Sequence, residues 1–244
     1  MSGAVTDKPV RKAPSRKPIE TVMQPRIDAR RLRRVHDNLL AAYGPQGWWP
    51  AEEVFEILVG AVLTQNTAWR NVEKALDNLR ARNAMEPRAL LNLPQEELAE
   101  AIRPSGYFNI KADRLHHLCR WYVAQGGFAA LAEWPTETLR RELLSVKGVG
   151  PETADDILLY AFERPVFVVD AYTFRIFERY GLIDPGYGYE ALRAAVEAVA
   201  GPATQWFNEL HALLVVHGNQ TCRPRPLCSQ CPLRRGCQYA RETT

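Results

Sequence analysis

The sequence predicts an all-α protein, and three observations carry that expectation. Apolar residues recur near every 3.6 positions over most of the chain. Pro and Gly punctuate the joins between those segments, as at Pro94, Gly106, Gly126, Pro135, Gly148, Pro185 and Gly201. Only Pro165–Val169 (PVFVV) has strand-like composition, and it is too short to found a sheet.

The elements follow in order. Leu32, Val35, Leu39 and Leu40 lie at helical spacing within residues 28–43. Residues 53–65 are strongly apolar, with Phe55, Ile57, Leu58, Val62 and Leu63. Further helices are expected over 68–82, 95–103, 109–125, 136–145, 151–162, 171–180, 188–199 and 203–217. There is no internal repeat.

A hydrophobic fraction of 46% is enough for a sizeable core, yet no apolar run is long enough to span a membrane. The N-terminus has no apolar h-region, which predicts no secretory signal. A cytosolic protein is expected, where clustered cysteines bind metal rather than form disulfides. The net charge of +3 hides an asymmetry. Residues 1–35 hold ten Lys and Arg against three acids, leaving 21 basic against 25 acidic residues elsewhere. Residues 1–25 are rich in Pro, Lys, Arg and Ser, which predicts a disordered basic arm. Such an arm either adds phosphate affinity or keeps the protein soluble.

Cys222, Cys228, Cys231 and Cys237 have the spacing C-x5-C-x2-C-x5-C. Four thiolates so placed can surround one metal centre, and zinc or an iron–sulfur cluster would both satisfy them. The fifth cysteine, Cys119, reads as a core residue. His116, His117, His211 and His217 lack metal-ligand spacing with it, and no catalytic role is assigned to them.

Residues 143–161 read LLSVKGVGPETADDILLYA. One helix ends near Ser145, and Gly148 and Gly150 are expected to adopt positive φ in a tight hairpin. Pro151 suits the first position of the next helix. Such a hairpin presents backbone N–H groups of Gly148, Val149 and Gly150 to a phosphate, with Lys147 beside them. Asp170 follows the apolar run in VVDAYTFRIFERYG and opens the next helix. Asp is a good N-cap, and a carboxylate there also suits the mouth of a cleft.

These segments, with LHALLVVHG and the cysteine tail, resemble the endonuclease III (helix-hairpin-helix) superfamily of DNA base-excision glycosylases. The resemblance runs from about Arg26 to the C-terminus. AVLTQNT is similar to the family helix whose glutamine fills the gap left by a flipped base, here Gln65. GYFNIKA resembles the family's GLYNxKA segment. The resemblance implies that Asp170 stabilises the sugar cation or orients water. It implies a [4Fe–4S] cluster on Cys222, Cys228, Cys231 and Cys237, although the family's first cysteine loop is one residue longer. Arg223 and Arg225 on that loop are expected to meet DNA phosphates.

Lyase members carry a lysine in GVGxKTA, and here Glu152 stands in its place. A carboxylate forms no Schiff base, so a monofunctional enzyme that uses water is expected. GWWP, together with Trp69 after QNT, resembles the 3-methyladenine glycosylase III branch. There the tryptophans, the proline and the later aromatic line the base pocket, here Trp48, Trp49, Pro50 and Trp69. A cationic alkylated purine is drawn to such faces by stacking and cation–π attraction. The implied architecture is two helical domains flanking a DNA-binding cleft. Residues 48–163 would form a helical barrel, and 26–47 with 164–244 the cluster domain. The expected partner is damaged double-stranded DNA, bound by a monomer in the cytoplasm, nucleoid-associated in a bacterium. Excision of oxidised pyrimidines or mismatched bases is the alternative, as is non-catalytic DNA binding.

Overall fold

The computed structural model describes residues 26–243 apart from Glu52, so the arm expected over 1–25 lies outside the described residues. The described residues are helical, with no β-strand among them. The helices are α1 (Ala29–Tyr43), α2 (Val54–Leu63), α3 (Trp69–Arg80), α4 (Pro87–Asn92), α5 (Gln95–Ala101) and α6 (Phe108–Ala124). Then follow α7 (Gly127–Ala132), α8 (Thr136–Ser145), α9 (Pro151–Asp156), α10 (Ala171–Tyr180), α11 (Tyr189–Ala200), α12 (Thr204–Gln220) and α13 (Gln238–Glu242). Each expected helix is present within a few residues of its expected bounds. The sequence reading missed α4, α7 and α13, which at five or six residues are too short to show a helical period.

α1 starts where the Asp28 carboxylate accepts the backbone N–H groups of Arg30 and Arg31 at 2.8 and 3.0 Å. α2 is buried over Phe55–Leu63 and packs against α3, α6 and α9. It is apolar nearly all round because it is surrounded rather than lying on a surface. α4 and α5 lie against α6, while α1 and α10 lie against α12. The α10–α12 approach is close: a Cβ on Gly218 would come within 2.3 Å of the Tyr172 ring.

α9 does not end at Asp156 but widens into a π turn over Ile157–Ala161. Phe162 N–H accordingly donates to Ile157 C=O at 3.2 Å. Such turns shift the helix register and often mark functional sites. The segment of strand-like composition is extended and buried without sheet partners; Val166, Phe167, Val168 and Val169 are each at most 3% exposed. Phe167 N–H is instead satisfied by the Glu197 carboxylate of α11 at 2.9 Å.

One buried ionic network ties these parts together. Arg140 of α8 donates to both Asp155 oxygens at 2.7 and 3.0 Å and to Glu190 at 2.8 Å. Tyr189 Oη adds a bond to Asp155 at 2.8 Å. Removing one partner of a buried pair strands the other charge and costs about 3–5 kcal/mol. Arg140→Ala is expected to lower the unfolding free energy by about that amount, measured by denaturant titration.

Candidate active site

Five separate stretches of chain meet at a cleft of about 670 Å3, part of it open to solvent. Trp48, Trp49 and Pro50 come from the segment before α2, and Thr64, Thr67, Ala68 and Trp69 from the turn between α2 and α3. The opposite wall is Glu152 and Asp156 of α9, Asp170, Tyr172 of α10, and His211 and Val215 of α12. All four aromatic-pocket candidates, Asp170 and Glu152 thus share one cleft.

The Trp48 and Trp69 rings are nearly parallel, with centroids 6.4 Å apart and planes 28° apart. Trp69 Nε1–H donates to Glu73 at 2.9 Å, which fixes that ring. Trp49 meets Trp69 edge-on at 5.2 Å and Tyr160 at 5.3 Å. These geometries are favoured by the ring quadrupoles.

Asp170 is 7% exposed and caps α10. Its Oδ1 accepts from Thr173 N–H at 2.7 Å and from Thr173 Oγ1 at 2.8 Å. Burial raises the Asp170 pKa, but the His211 side chain and the two Thr173 donors outweigh it and hold the group below the usual carboxylate value. Glu152 behaves oppositely. The residue as a whole is exposed, while its carboxyl looks into the cleft. Withdrawal from water and the nearby Asp170 charge raise it to about 7. Asp156, 6% exposed, is pushed well above the usual range by burial, and its Oδ1 has no hydrogen-bond partner among the described residues. Asp170 is thus held toward its ionised form while Glu152 and Asp156 are pushed toward keeping a proton, a divergence that separates acid and base roles.

Sequence reasoning missed Asp156, Tyr160 and His211. His211 is 5% exposed, and its Nδ1 lies 2.6 Å from Tyr160 Oη. The available signal was a polar ring on each of two otherwise apolar helix faces, which demands a buried partner.

The hairpin lies between α8 and α9. Gly148 takes φ +94°, and a Cβ there would meet Arg114 at 2.2 Å. Gly150 differs from expectation: its φ is −95°, because it serves as the extended N-cap before Pro151. Val149 also differs. Its side chain is buried and its N–H donates to Val146 C=O at 3.0 Å, so that amide is closed to a ligand. The Gly148 and Gly150 N–H groups have no such partner among the described residues. Lys147 is exposed and pairs with exposed Asp113 at 2.9 Å, a contact weak enough to exchange.

Gln65 reaches the hairpin. Its Nε2 donates to Thr153 Oγ1 at 2.8 Å and to Gly148 C=O at 3.3 Å, and its Oε1 accepts from Arg114. Lys111, 1% exposed, fixes the turn from below by donating to Leu63 C=O at 2.9 Å and Ser105 C=O at 2.6 Å.

Cys222, Cys228, Cys231 and Cys237 line one small cavity with Arg179, Leu227 and Tyr239, and all are free thiols. They surround a space rather than a point: no three metal-ligating side chains among the described residues are placed to hold a single ion. Burial, with the neighbouring thiols, raises Cys231 to about 11. Ionising all four together would call for a positive centre between them. α10 holds the loop: Arg175 donates to Cys222 C=O at 2.8 Å, and Arg179 to the carbonyls of Arg223 and Pro224 at 2.7 and 3.0 Å. Arg223 and Arg225 are exposed on it. Cys119 is buried in the core, as expected. No helix among the described residues is long and apolar enough to cross a membrane.

The described residues are all-helical and combine a glycine hairpin with a buried carboxylate facing an aromatic cleft, which agrees with a DNA base-excision class. Residues 59–202 match the family described as HhH-GPD superfamily base excision DNA repair protein, and the chain belongs to that superfamily. It is a DNA N-glycosylase, an enzyme acting on N-glycosyl bonds. The chain is 44% identical over 209 residues to a Methanocaldococcus jannaschii protein described as "Putative DNA repair glycosylase MJ1434", covering 84% of this chain and 95% of that one. It is 31% identical to endonuclease III of Thermotoga maritima over 77% of this chain and 84% of the relative. The solved structure of the H. pylori 3-methyladenine DNA glycosylase (MagIII) bound to 1,N6-ethenoadenine is 30% identical, with a TM-score of 0.65, covering 79% of this chain and 97% of that one.

Gly148→Ala forces both positive φ and an overlap with Arg114. It is expected to cost about 1–3 kcal/mol and to weaken binding to duplex DNA, read by denaturation and by fluorescence anisotropy.

Proposed function

We propose that this enzyme hydrolyses the N-glycosidic bond of alkylated purines in double-stranded DNA, without lysine-based strand cleavage. The near-parallel Trp48–Trp69 pair carries this reading. A flat base sandwiched between two rings needs about 7 Å, twice a carbon–carbon contact distance. The two centroids lie 6.4 Å apart with the planes 28° from parallel, so a base enters as the rings part and level. A cationic base gains stacking and cation–π attraction there, worth about 0.5–2 kcal/mol or more per contact once desolvated. Its bond to the sugar is already weak, because the base leaves neutral.

Asp170 is the catalytic carboxylate in this reading. Held ionised, it stabilises the oxocarbenium-like sugar that forms as the bond breaks. Glu152, where lyases have lysine, offers no amine for a Schiff base. Its raised pKa suits proton handling near neutrality and supports a role in guiding the attacking water. The Gly148 and Gly150 amides with Lys147 would hold a phosphate, while Gln65 would leave its hairpin contacts to fill the gap. Arg223 and Arg225 would meet the backbone.

Two groups of helices support the division into a barrel over 48–163 and a second domain built from 26–47 and 164–244. The four cysteines would hold a [4Fe–4S] cluster. Zinc needs four sulfurs about 2.3 Å from one centre, and thiols arranged around a cavity suit the larger group better. Its part here is to tie the Arg223–Arg225 loop to α10.

Purified protein is expected to release 3-methyladenine or 7-methylguanine from methylated duplex DNA, while Asp170→Asn binds the DNA and releases about 100-fold less or worse. Release of oxidised pyrimidines instead, or full activity of Asp170→Asn, would overturn the reading. Trp48→Ala is expected to lower base release about 10-fold or more, with little change in binding to undamaged duplex. Cys231→Ser is expected to lose iron and inorganic sulfide and the broad visible absorbance of such clusters; bound zinc in the wild type would exclude the cluster.

A further inference from the structure

We propose that His211, braced by Tyr160, is a positioning residue that holds the free oxygen of Asp170 from behind without touching the base. This rests on the catalytic reading of Asp170 given above.

The geometry is asymmetric. Asp170 Oδ1 is fully engaged by Thr173. Oδ2 lies 3.7 Å from His211 Nε2. That is too long for a hydrogen bond and well within ion-pair reach. Nε2 is shielded from solvent and has no hydrogen-bond partner among the described residues. A buried N–H left unpaired costs about 1–3 kcal/mol, so its orientation toward Oδ2 needs a reason. Tyr160, on the π turn, supplies the other half at Nδ1, 2.6 Å away.

The tyrosine makes the arrangement insensitive to the ring's protonation. With neutral His211, the Tyr160 hydroxyl donates to Nδ1 and the ring proton sits on Nε2. With charged His211, Nδ1–H donates to Tyr160 Oη and Nε2 keeps its proton. Either state directs an N–H at Oδ2. Around this ring stand Glu152, Asp156 and Tyr160 from α9 and Asp170 from the head of α10, while Glu209 of α12 acts on Tyr160. Trp48 meets it edge-on at 6.3 Å. Burial lowers the His211 pKa, but Asp170, Asp156 and Glu152 more than offset it and the group ends above its ordinary value. Asp170 ends below its own. The contact that favours the charged imidazole also favours the ionised carboxylate, so without His211 Asp170 takes up its proton more readily and activity is lost at higher pH on acidification.

Ring 15N spectra of the five histidines, recorded from acid to alkaline pH on the full chain, test the contact directly. His211 is assigned from His211→Gln or, should that variant not fold, from Tyr160→Phe, which perturbs the same ring. His211 is expected to titrate above about 6.5 in the wild type and about one unit or more lower in Asp170→Asn. In single-turnover base release, His211→Gln is expected to be about 10- to 100-fold slower at neutral pH, with the acid limb moved up about one unit. Tyr160→Phe should fall between it and the wild type. An His211 titration indifferent to Asp170→Asn overturns the proposal, as does a His211→Gln enzyme with unchanged rate and acid limb. Failure of the wild type to release alkylated purines would sink the substrate reading alone, and the spectra would still decide the contact.

Discussion

A carboxylate buried at the head of α10 is the constraint on which the rest of the structure depends. An N-cap contributes about 1 kcal/mol to a helix, whereas an unmatched buried charge costs several. The partners of Asp170 therefore matter more than its capping. Thr173 comes from the same helix turn, so local sequence supplies half the match. The remaining half comes from α12, which must pass close by. That requirement sets the packing of α10 on α12.

α10 is ten residues long, about 15 Å. One end carries the site carboxylate, and Arg175 and Arg179 further along grip the carbonyls of the cysteine loop. A short rigid rod thus joins the cleft to the four thiols. On the other side, the Arg140–Asp155 network fixes α9, and Glu197 of α11 anchors the extended run before Asp170. The carboxylate is approached by well-tethered chain from both directions.

Much of this was legible in the sequence. The helices long enough to show a period were found, and Asp170, which by itself reads as an N-cap, stood out because the hairpin precedes it and the four-cysteine tail follows it. The cysteine spacing announced four converging thiols. Trp48, Trp49 and Trp69 were recognisable through the order of the motifs around them. The misses share a cause. His211 and Tyr160 look like ordinary members of apolar helix faces, and 51 residues separate them. Asp156 follows Asp155 directly, and nothing local tells the ion-paired one from the one facing the cleft. The π turn that presents Tyr160 leaves no periodic mark in five residues. At the hairpin, composition gave the glycines but not their dihedral angles, so Gly150 and the Val149 amide were misread.

The two close approaches, Gly148 under Arg114 and Gly218 under Tyr172, leave no room for even one added carbon. Each couples positions far apart in the chain into a single unit of size. Neither member can drift alone: a larger residue on one side requires a smaller one on the other in the same lineage. Among descendants of this chain, positions 114 and 148, and likewise 172 and 218, should be inherited as pairs.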